Sequence, residues 1–252
     1  MHPFHVIIPA RYDSSRLPGK PLMDIAGKPM IQHVVECAIG SAAGSVTVAT
    51  DDIRVEQAVQ KFGGSVVMTS PHHLSGSDRI AEAIDKLGFP DQEIIVNVQG
   101  DEPKMPPALI NQVSELLVQK QLAVMATASA SLDNPGQLTD PSVVKVVTDC
   151  NGYAIYFSRA TIPWVRHETS SRLADNAASV VRRHLGIYAY RCGYIRQFSR
   201  QSMCELEQHE KLEQLRVLWH GEKIACAEAV EIPGPGIDTP ADLERIRHGV
   251  GR

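Results

Sequence analysis

The 252-residue chain has no cysteine pair, no long apolar run and no excess of positive charge. Its five cysteines, Cys37, Cys150, Cys192, Cys204 and Cys226, are scattered with no C-x-x-C among them. An odd, dispersed set argues against a disulfide framework or a zinc knuckle, so they read as reduced thiols of a cytosolic protein. The opening MHPFHVIIPARY has no basic leader, and its apolar stretch is far shorter than the ~20 residues a membrane span needs. The expectation is a soluble, cytoplasmic protein with no membrane partner. With 25 Lys and Arg against 29 Asp and Glu the formal charge is -4, so the molecule as a whole repels a polyanion and no nucleic-acid partner is expected. Any anion it binds must be met by a local cluster. Also missing are G-x-G-x-x-G, H-E-x-x-H and the Asp-x-Asp that sugar-nucleotide glycosyltransferases usually present to a metal.

Such a cluster is present in IIPARYDSSRLPGKPL, residues 7–22, where an apolar run leads directly into Arg11, Arg16 and Lys20. This is no Walker loop, because Gly19-Lys20 is followed by Pro21. Either the loop is a solvated basic turn, or it meets a phosphate group, with Gly19 letting the backbone approach the ligand. Its place just after the first strand favours the second reading.

Segments of strand and helix character alternate through the first half. FHVIIPA, SVTVATDD, GSVVMTS, EIIVNVQGDEP and AVMATASAS read as strands. Between them KPMIQHVVECAIGS, DIRVEQAVQKFGG, SDRIAEAIDKLG and PPALINQVSELLVQK carry apolar residues at helical spacing. That alternation predicts an α/β fold with a doubly wound, mostly parallel sheet, whose ligands sit beyond the carboxyl ends of the strands. The second half departs from it. SVVKVVTDCNGYAIYFS reads as a hairpin around Asn151-Gly152, HLGIYAYR as a strand, and CELEQHEKLEQLRVLWHG as one helix with Leu212, Leu215 and Trp219 facing the core. DTPADLERIR is a last helix capped by Asp238 or Thr239. The whole chain, 1–252, is taken as a single domain with an antiparallel subsidiary lobe at about 142–200, and VRHETSSRLADNAAS as a mobile loop or subunit interface.

Other loops are open to two readings each. VNVQGDEP ends in Gln99, Gly100, Asp101 and Glu102, either a polar turn or a carboxylate pair for a hard, oxygen-loving cation bound with phosphates. Asp238 is either a plain helix cap or a second metal ligand. His184 is by default a residue of the surface or core edge, and Glu213 and Gln214 would ordinarily be solvated.

Taken in order, IIPARYDSSRLPGKPL, ATDD, SGSDR, VNVQGDEP, DPSVVKVV, FSRATIP, HLGIYAYR, LEQLRVL and GIDTPADLERI resemble the cytidylyltransferases that activate 3-deoxy-manno-octulosonate (Kdo) for lipopolysaccharide synthesis. The resemblance spans nearly the whole chain. It implies a Rossmann-like nucleotidyltransferase fold, a homodimer, and reaction of CTP with the sugar acid to give CMP-sugar and pyrophosphate with Mg²⁺. By the same resemblance Arg11, Ser14 and Lys20 match the triphosphate loop, while Ser75 and Arg79 lie in the segment that closes on the cytosine. Asp101 and Asp238 match metal-binding aspartates. Gln99, Arg159, His184, Tyr188, Glu213 and Gln214 match positions that hold the sugar acid. Arg11, Lys20 and the metal would stabilise charge on the phosphates in the transition state. CMP-sialic acid synthetases and other sugar nucleotidyltransferases share the first loop and form the alternative. Members usually have Thr where this chain has Ser77, a conservative change; the stretch after Trp164 also differs, near the sugar site and dimer contacts, and this second difference makes an 8-amino Kdo a candidate substrate.

Overall fold

Strand β1 (Phe4–Ala10) is buried on both faces, and the alternation of its side chains divides the core in two. A computed structural model describes residues 2–13, 17–73, 75–164, 166 and 180–249 of the chain. Parallel partners flank β1: β4 (Ser45–Thr50) on one side, followed by β5 (Ser65–Met68), and β6 (Ile94–Asn97) on the other. Beyond β6 lie β10 (Val181–Arg191), then β7 (Ala123–Ala130) and β11 (Lys223–Glu228), giving the order β11-β7-β10-β6-β1-β4-β5. Strand β10 alone in this path runs antiparallel to both neighbours. It also pairs with β8 (Lys145–Thr148), which pairs in turn with β9 (Ala154–Ser158), so the expected hairpin at Asn151-Gly152 is joined to the main sheet. A short ribbon of β2 (Asp24–Ile25) and β3 (Lys28–Pro29) follows the first loop.

Phe4, Val6 and Ile8 face helices α1 (Met30–Ile39) and α4 (Pro107–Gln119) through Val34, Leu109 and Val113, and α2 (Ile53–Lys61) joins that layer with Val55 and Val59. Ile7 and Ile95 face the opposite layer, where α3 (Gly76–Leu87) contributes Ile80 and Ile84 and α5 (Cys192–Arg200) contributes Ile195 and Phe198. Each fully buried aliphatic of this kind contributes about 1.5–3 kcal/mol, so a charge placed at Ile7 would be expected to unfold the layer. Leu17, Ile25 and Met30 form a third cluster with Ile237, Leu243 and Ile246, the last two on α8 (Pro240–Gly249). This cluster fastens the first loop to the far end of the chain.

Residues 204–221 differ from the single helix expected there. They form α6 (Glu205–Glu210) and α7 (Gln214–Trp219), separated at Lys211, whose φ of 54° ends α6 with its amide donating to the Glu207 carbonyl. Leu212 and Leu215 are buried as expected, but the break turns Trp219 outward, where it is 53% exposed. The same break carries Glu213 and Gln214 inward. Thr239, not Asp238, caps α8: its hydroxyl accepts from the Asp242 amide, and the Asp242 carboxylate accepts from the Thr239 amide at 2.8 Å. The segment 165–179, expected to be a loop or interface, lies outside the described residues apart from Arg166. All five cysteines are free thiols, and no helix among the described residues is long and apolar enough to cross a membrane.

Candidate active site

The direction of strand succession changes at β1, with β4 and β5 on one side and β6 on the other, so the loops after β1 and β6 flank a crevice at the carboxyl edge of the sheet. The two loops meet closely because of Gly100, where a Cβ would lie 2.9 Å from the Pro9 carbonyl oxygen. The first loop closes on itself through the Gly19 amide, which donates to the Tyr12 carbonyl at 3.0 Å, and Gly19 adopts a left-handed φ of 70°. That conformation starts the short 3₁₀ turn Lys20–Leu22 and directs Lys20 inward. Gly19 therefore serves the turn, and Gly100 supplies the close backbone approach.

The resulting crevice, of ≈420 Å³, is lined by Arg11, Lys20, Ser75, Gln99, Asp101 and Asp238 among others. Lys20 Nζ donates to Asp101 Oδ2 at 2.6 Å and to Asp238 Oδ1 at 3.1 Å. One positive centre thus draws together carboxylates from two distant parts of the sequence. Among the described residues one buried guanidinium nitrogen of Arg11 has no hydrogen-bond partner, a donor suited to an incoming anion. Ser75 caps α3 in a reciprocal pair: its hydroxyl accepts from the Asp78 amide at 3.1 Å, and the Asp78 carboxylate accepts from the Ser75 amide at 3.2 Å.

A second cavity of ≈580 Å³ adjoins the first and shares Gln99, Asp101, Glu213 and Asp238 with it. It adds Arg159, Tyr188 and Gln214. Arg159 follows β9 and is held by the carbonyls of Glu210 and Pro141, at 2.8 and 3.0 Å. Gln214 is buried with its amide nitrogen unpartnered among the described residues. Burial raises the Glu213 carboxyl above its ordinary pKa, partly offset by a hydrogen bond from Ser77. Burial likewise pushes the Tyr188 hydroxyl well up, so it stays protonated and able to donate. The arrangement places a cleft that holds Arg11 and Lys20 beside a polar chamber, with two aspartates at their junction.

Two predicted residues stand elsewhere. His184 does not line the sugar-sized chamber. Its Nε2 lies 3.0 Å from the Thr127 hydroxyl, its ring packs edge-on against Phe157, and burial lowers its pKa to about 3, so it is neutral and cannot offer a charge to a carboxylate. It lines a neighbouring cavity with Glu102 and Arg183, and its ring packs against Tyr188 of the chamber. Arg79 is fully buried and lines neither cavity; it donates to Asp51 Oδ2 at 2.6 Å and to the Thr69 hydroxyl at 2.5 Å, tying α3 to the ends of β4 and β5. Direct contact with a base is closed to it in this arrangement. Ser14 lies outside the described residues.

Sequence reasoning passed over Asn97 and Tyr190 and gave Ser77 no role; all three line the second cavity. Asn97 is a polar residue ending an apolar strand and pairs in register with Tyr188, and Tyr190 shares that face at a spacing of two. Both signals were in the sequence. Glu102 borders a neighbouring cavity, and burial with repulsion from Asp101 and Asp238 raises its carboxyl to about 7.

The sequence profile of the cytidylyltransferase family matches residues 5–224 of the chain. The chain belongs to the cytidylyltransferase family. Within it, the chain is 55% identical over 252 residues to the 3-deoxy-manno-octulosonate cytidylyltransferase of Idiomarina loihiensis, covering 98% of each protein. It is also 55% identical to the enzyme of that name from Vibrio cholerae, over 97% of this chain and 96% of the relative. The solved structure of CMP:2-keto-3-deoxy-manno-octonic acid synthetase complexed with CTP superimposes with a TM-score of 0.89 at 42% identity, over 100% of this cytidylyltransferase and 99% of the other chain.

Proposed function

We propose that this cytidylyltransferase transfers CMP from CTP to the anomeric hydroxyl of Kdo, releasing pyrophosphate, with Mg²⁺ as its resident metal. The observation that carries the reading is the junction of the two cavities at Asp101 and Asp238, gathered on Lys20 Nζ. A regulatory nucleotide-binding module would need the cleft with Arg11 and Lys20 but no adjoining chamber. The relatives named for Kdo favour that sugar over the sialic acid alternative.

The donor set fits Mg²⁺. Among the described residues no group of three or more His, Cys, Asp or Glu is arranged to hold a metal alone. Two carboxylates already drawn to one cation, Asp101 and Asp238, are a donor pair that would suit a hard cation such as Mg²⁺ bound together with substrate phosphates. When bound there, held by Asp101 and Asp238, Mg²⁺ supplies Lewis-acid stabilisation of phosphate charge.

The chain's own residues do the rest by position and charge. Arg11 and Lys20 bind the triphosphate and oppose the negative charge that grows as the sugar oxygen bonds to the α-phosphorus and the bond to the β-phosphate oxygen breaks. The hydroxyl proton leaves to solvent. Ser75, at the start of α3, borders the nucleotide side of the crevice. Arg159 meets the sugar carboxylate in a charge-assisted contact, while Gln99, Tyr188, Glu213 and Gln214 bind its hydroxyls. A negative Glu213 also suits a protonated amine, which keeps an 8-amino octulosonate within reach. The same reading makes it a cytoplasmic homodimer feeding lipopolysaccharide synthesis, as the family resemblance implies. The test is product identification: CTP, Mg²⁺ and Kdo should yield CMP-Kdo and pyrophosphate by mass spectrometry, and formation of neither would overturn the reading.

A further inference from the structure

Glu213 stands where both cavities meet. It occupies the position before α7, but its carboxylate makes no capping bond to that helix. Arg216, on the helix that follows, is committed elsewhere: its guanidinium donates twice to Glu207, at 2.7 and 2.6 Å, and to the carbonyls of Phe198 and Gln201. What holds the Glu213 carboxylate is Ser77, 136 residues away, whose hydroxyl donates to Oε2 at 2.6 Å. Ser77 lies in the first turn of α3, and that turn is fixed by the reciprocal bonds of Ser75 and Asp78. The donor is therefore placed by the helix cap, and it fixes the acceptor's side chain from another element.

We propose that Ser77 is a positioning residue for sugar selection: by engaging Oε2 it fixes Glu213 in one orientation and leaves Oε1 to accept from the sugar. The proposal rests on the reading of Glu213 as a contact to sugar hydroxyls, and deepens it. When ionised, a carboxylate in such a chamber accepts hydrogen bonds and repels anions, and the Ser77 donor opposes the burial that raises its pKa. With Arg159 in the same chamber, this polarity orients the substrate: carboxylate end to Arg159, hydroxyl or amine end to Glu213. Around Glu213, Asp78 of α3 and Glu207 of α6 oppose its ionisation and Arg216 of α7 favours it. Tyr188 and Tyr190 of β10, both kept protonated by burial, and Lys211 line the same chamber with Asp101 and Asp238. Loss of the Ser77 donor removes one of the influences that hold the Glu213 pKa down.

The test separates the KM for Kdo from the KM for CTP in Ser77→Ala, Ser77→Thr, Glu213→Ala and the double Ser77→Ala/Glu213→Ala variant. Ser77→Ala should raise the KM for Kdo on the order of tenfold or more, as loss of a hydrogen bond to a charged group does. The KM for CTP should stay within about twofold, and Ser77→Thr, which keeps the hydroxyl, should restore Kdo binding. The acidic limb of kcat/KM for Kdo should move to higher pH in Ser77→Ala. In the Glu213→Ala background the serine change should add less than about twofold, since the two act as one unit. An unchanged KM for Kdo in Ser77→Ala, a parallel rise in the KM for CTP, or full multiplication of the two single effects would each overturn the proposal. If Glu213→Ala raises the KM for Kdo and Ser77→Ala does not, the role of Ser77 alone fails. If Glu213→Ala leaves that KM unchanged, the sugar-contact reading fails and takes the proposal with it.

Discussion

Lys20 Nζ lies 2.6 Å from Asp101 Oδ2, joining loops 81 residues apart in sequence, and the same ammonium reaches Asp238 at 3.1 Å. A buried lysine between two aspartates holds the metal-suited pair together with a charge of its own. When CTP brings phosphates into the crevice, the ammonium has a second anionic partner to turn to.

Two consequences follow for Lys20. Lys20→Ala should lower kcat on the order of 10²- to 10³-fold, about 2.7–4 kcal/mol, if the ammonium acts on transition-state charge as a preorganised donor does. Without CTP, the same variant should bind Mg²⁺ more tightly by calorimetry, because the competing cation is gone. A change confined to the KM for CTP would instead assign Lys20 to uniform ground-state binding.

Because Thr239 and Asp242 cap α8 between them, Asp238 is spared that duty. Asp238→Asn and Asp101→Asn should therefore nearly abolish turnover at limiting Mg²⁺ while the thermal unfolding midpoint hardly moves. Near-normal activity in Asp238→Asn would remove that residue from the metal site.

Ile237 is fully buried beside Asp238, in the cluster that joins Leu17 and Ile25 to α8. Ile237→Ala should cost about 2–5 kcal/mol in urea unfolding, through lost transfer energy and the cavity left behind. It should also weaken Mg²⁺ binding, since the cluster sets the distance between Lys20 and Asp238. A stability loss without any change in metal affinity would show that the metal site does not depend on this clamp.

His184 makes a pH prediction whose sign is fixed by its lowered pKa. Unfolded, the imidazole titrates near 6.5; folded, burial holds it neutral down to about 3. Between these values the unfolded chain binds the extra proton, so its contribution to stability is complete above about pH 6.5 and is lost as pH falls toward 3. His184→Gln keeps a group able to bond Thr127 but does not titrate, and its stability should fall less steeply over that window. Equal slopes for the two proteins would place His184 in contact with solvent.

Much of this architecture was legible in the chain because local pattern and tertiary demand agree there. The β1 run, the Ser75 cap and the Gln99–Asp101 turn each place their residues by short-range geometry, and the parallel register does the rest. The sequence misled where one backbone torsion overrode periodicity. Lys211 at positive φ splits an apparently continuous helix, exposing Trp219 and bringing Glu213 and Gln214 inside, which helical spacing had put in solvent. His184 sits at a strand position whose side chain could have faced either cavity, and a register shift in β10 between Leu185 and Tyr188 decides that it packs on Thr127. The Ser77–Glu213 bond spans 136 residues, and no local signal announces it.

The measurement that bears most directly on the whole account is kcat/KM for pyrophosphate release at fixed CTP and Mg²⁺ with Kdo, its 8-amino analogue, sialic acid and glucose 1-phosphate. Arg159 and Glu213 at opposite roles in one chamber predict that an octulosonate is the best substrate and that glucose 1-phosphate, with neither a carboxylate nor an attacking anomeric hydroxyl, supports no turnover. Sialic acid or glucose 1-phosphate emerging as the best substrate would contradict it.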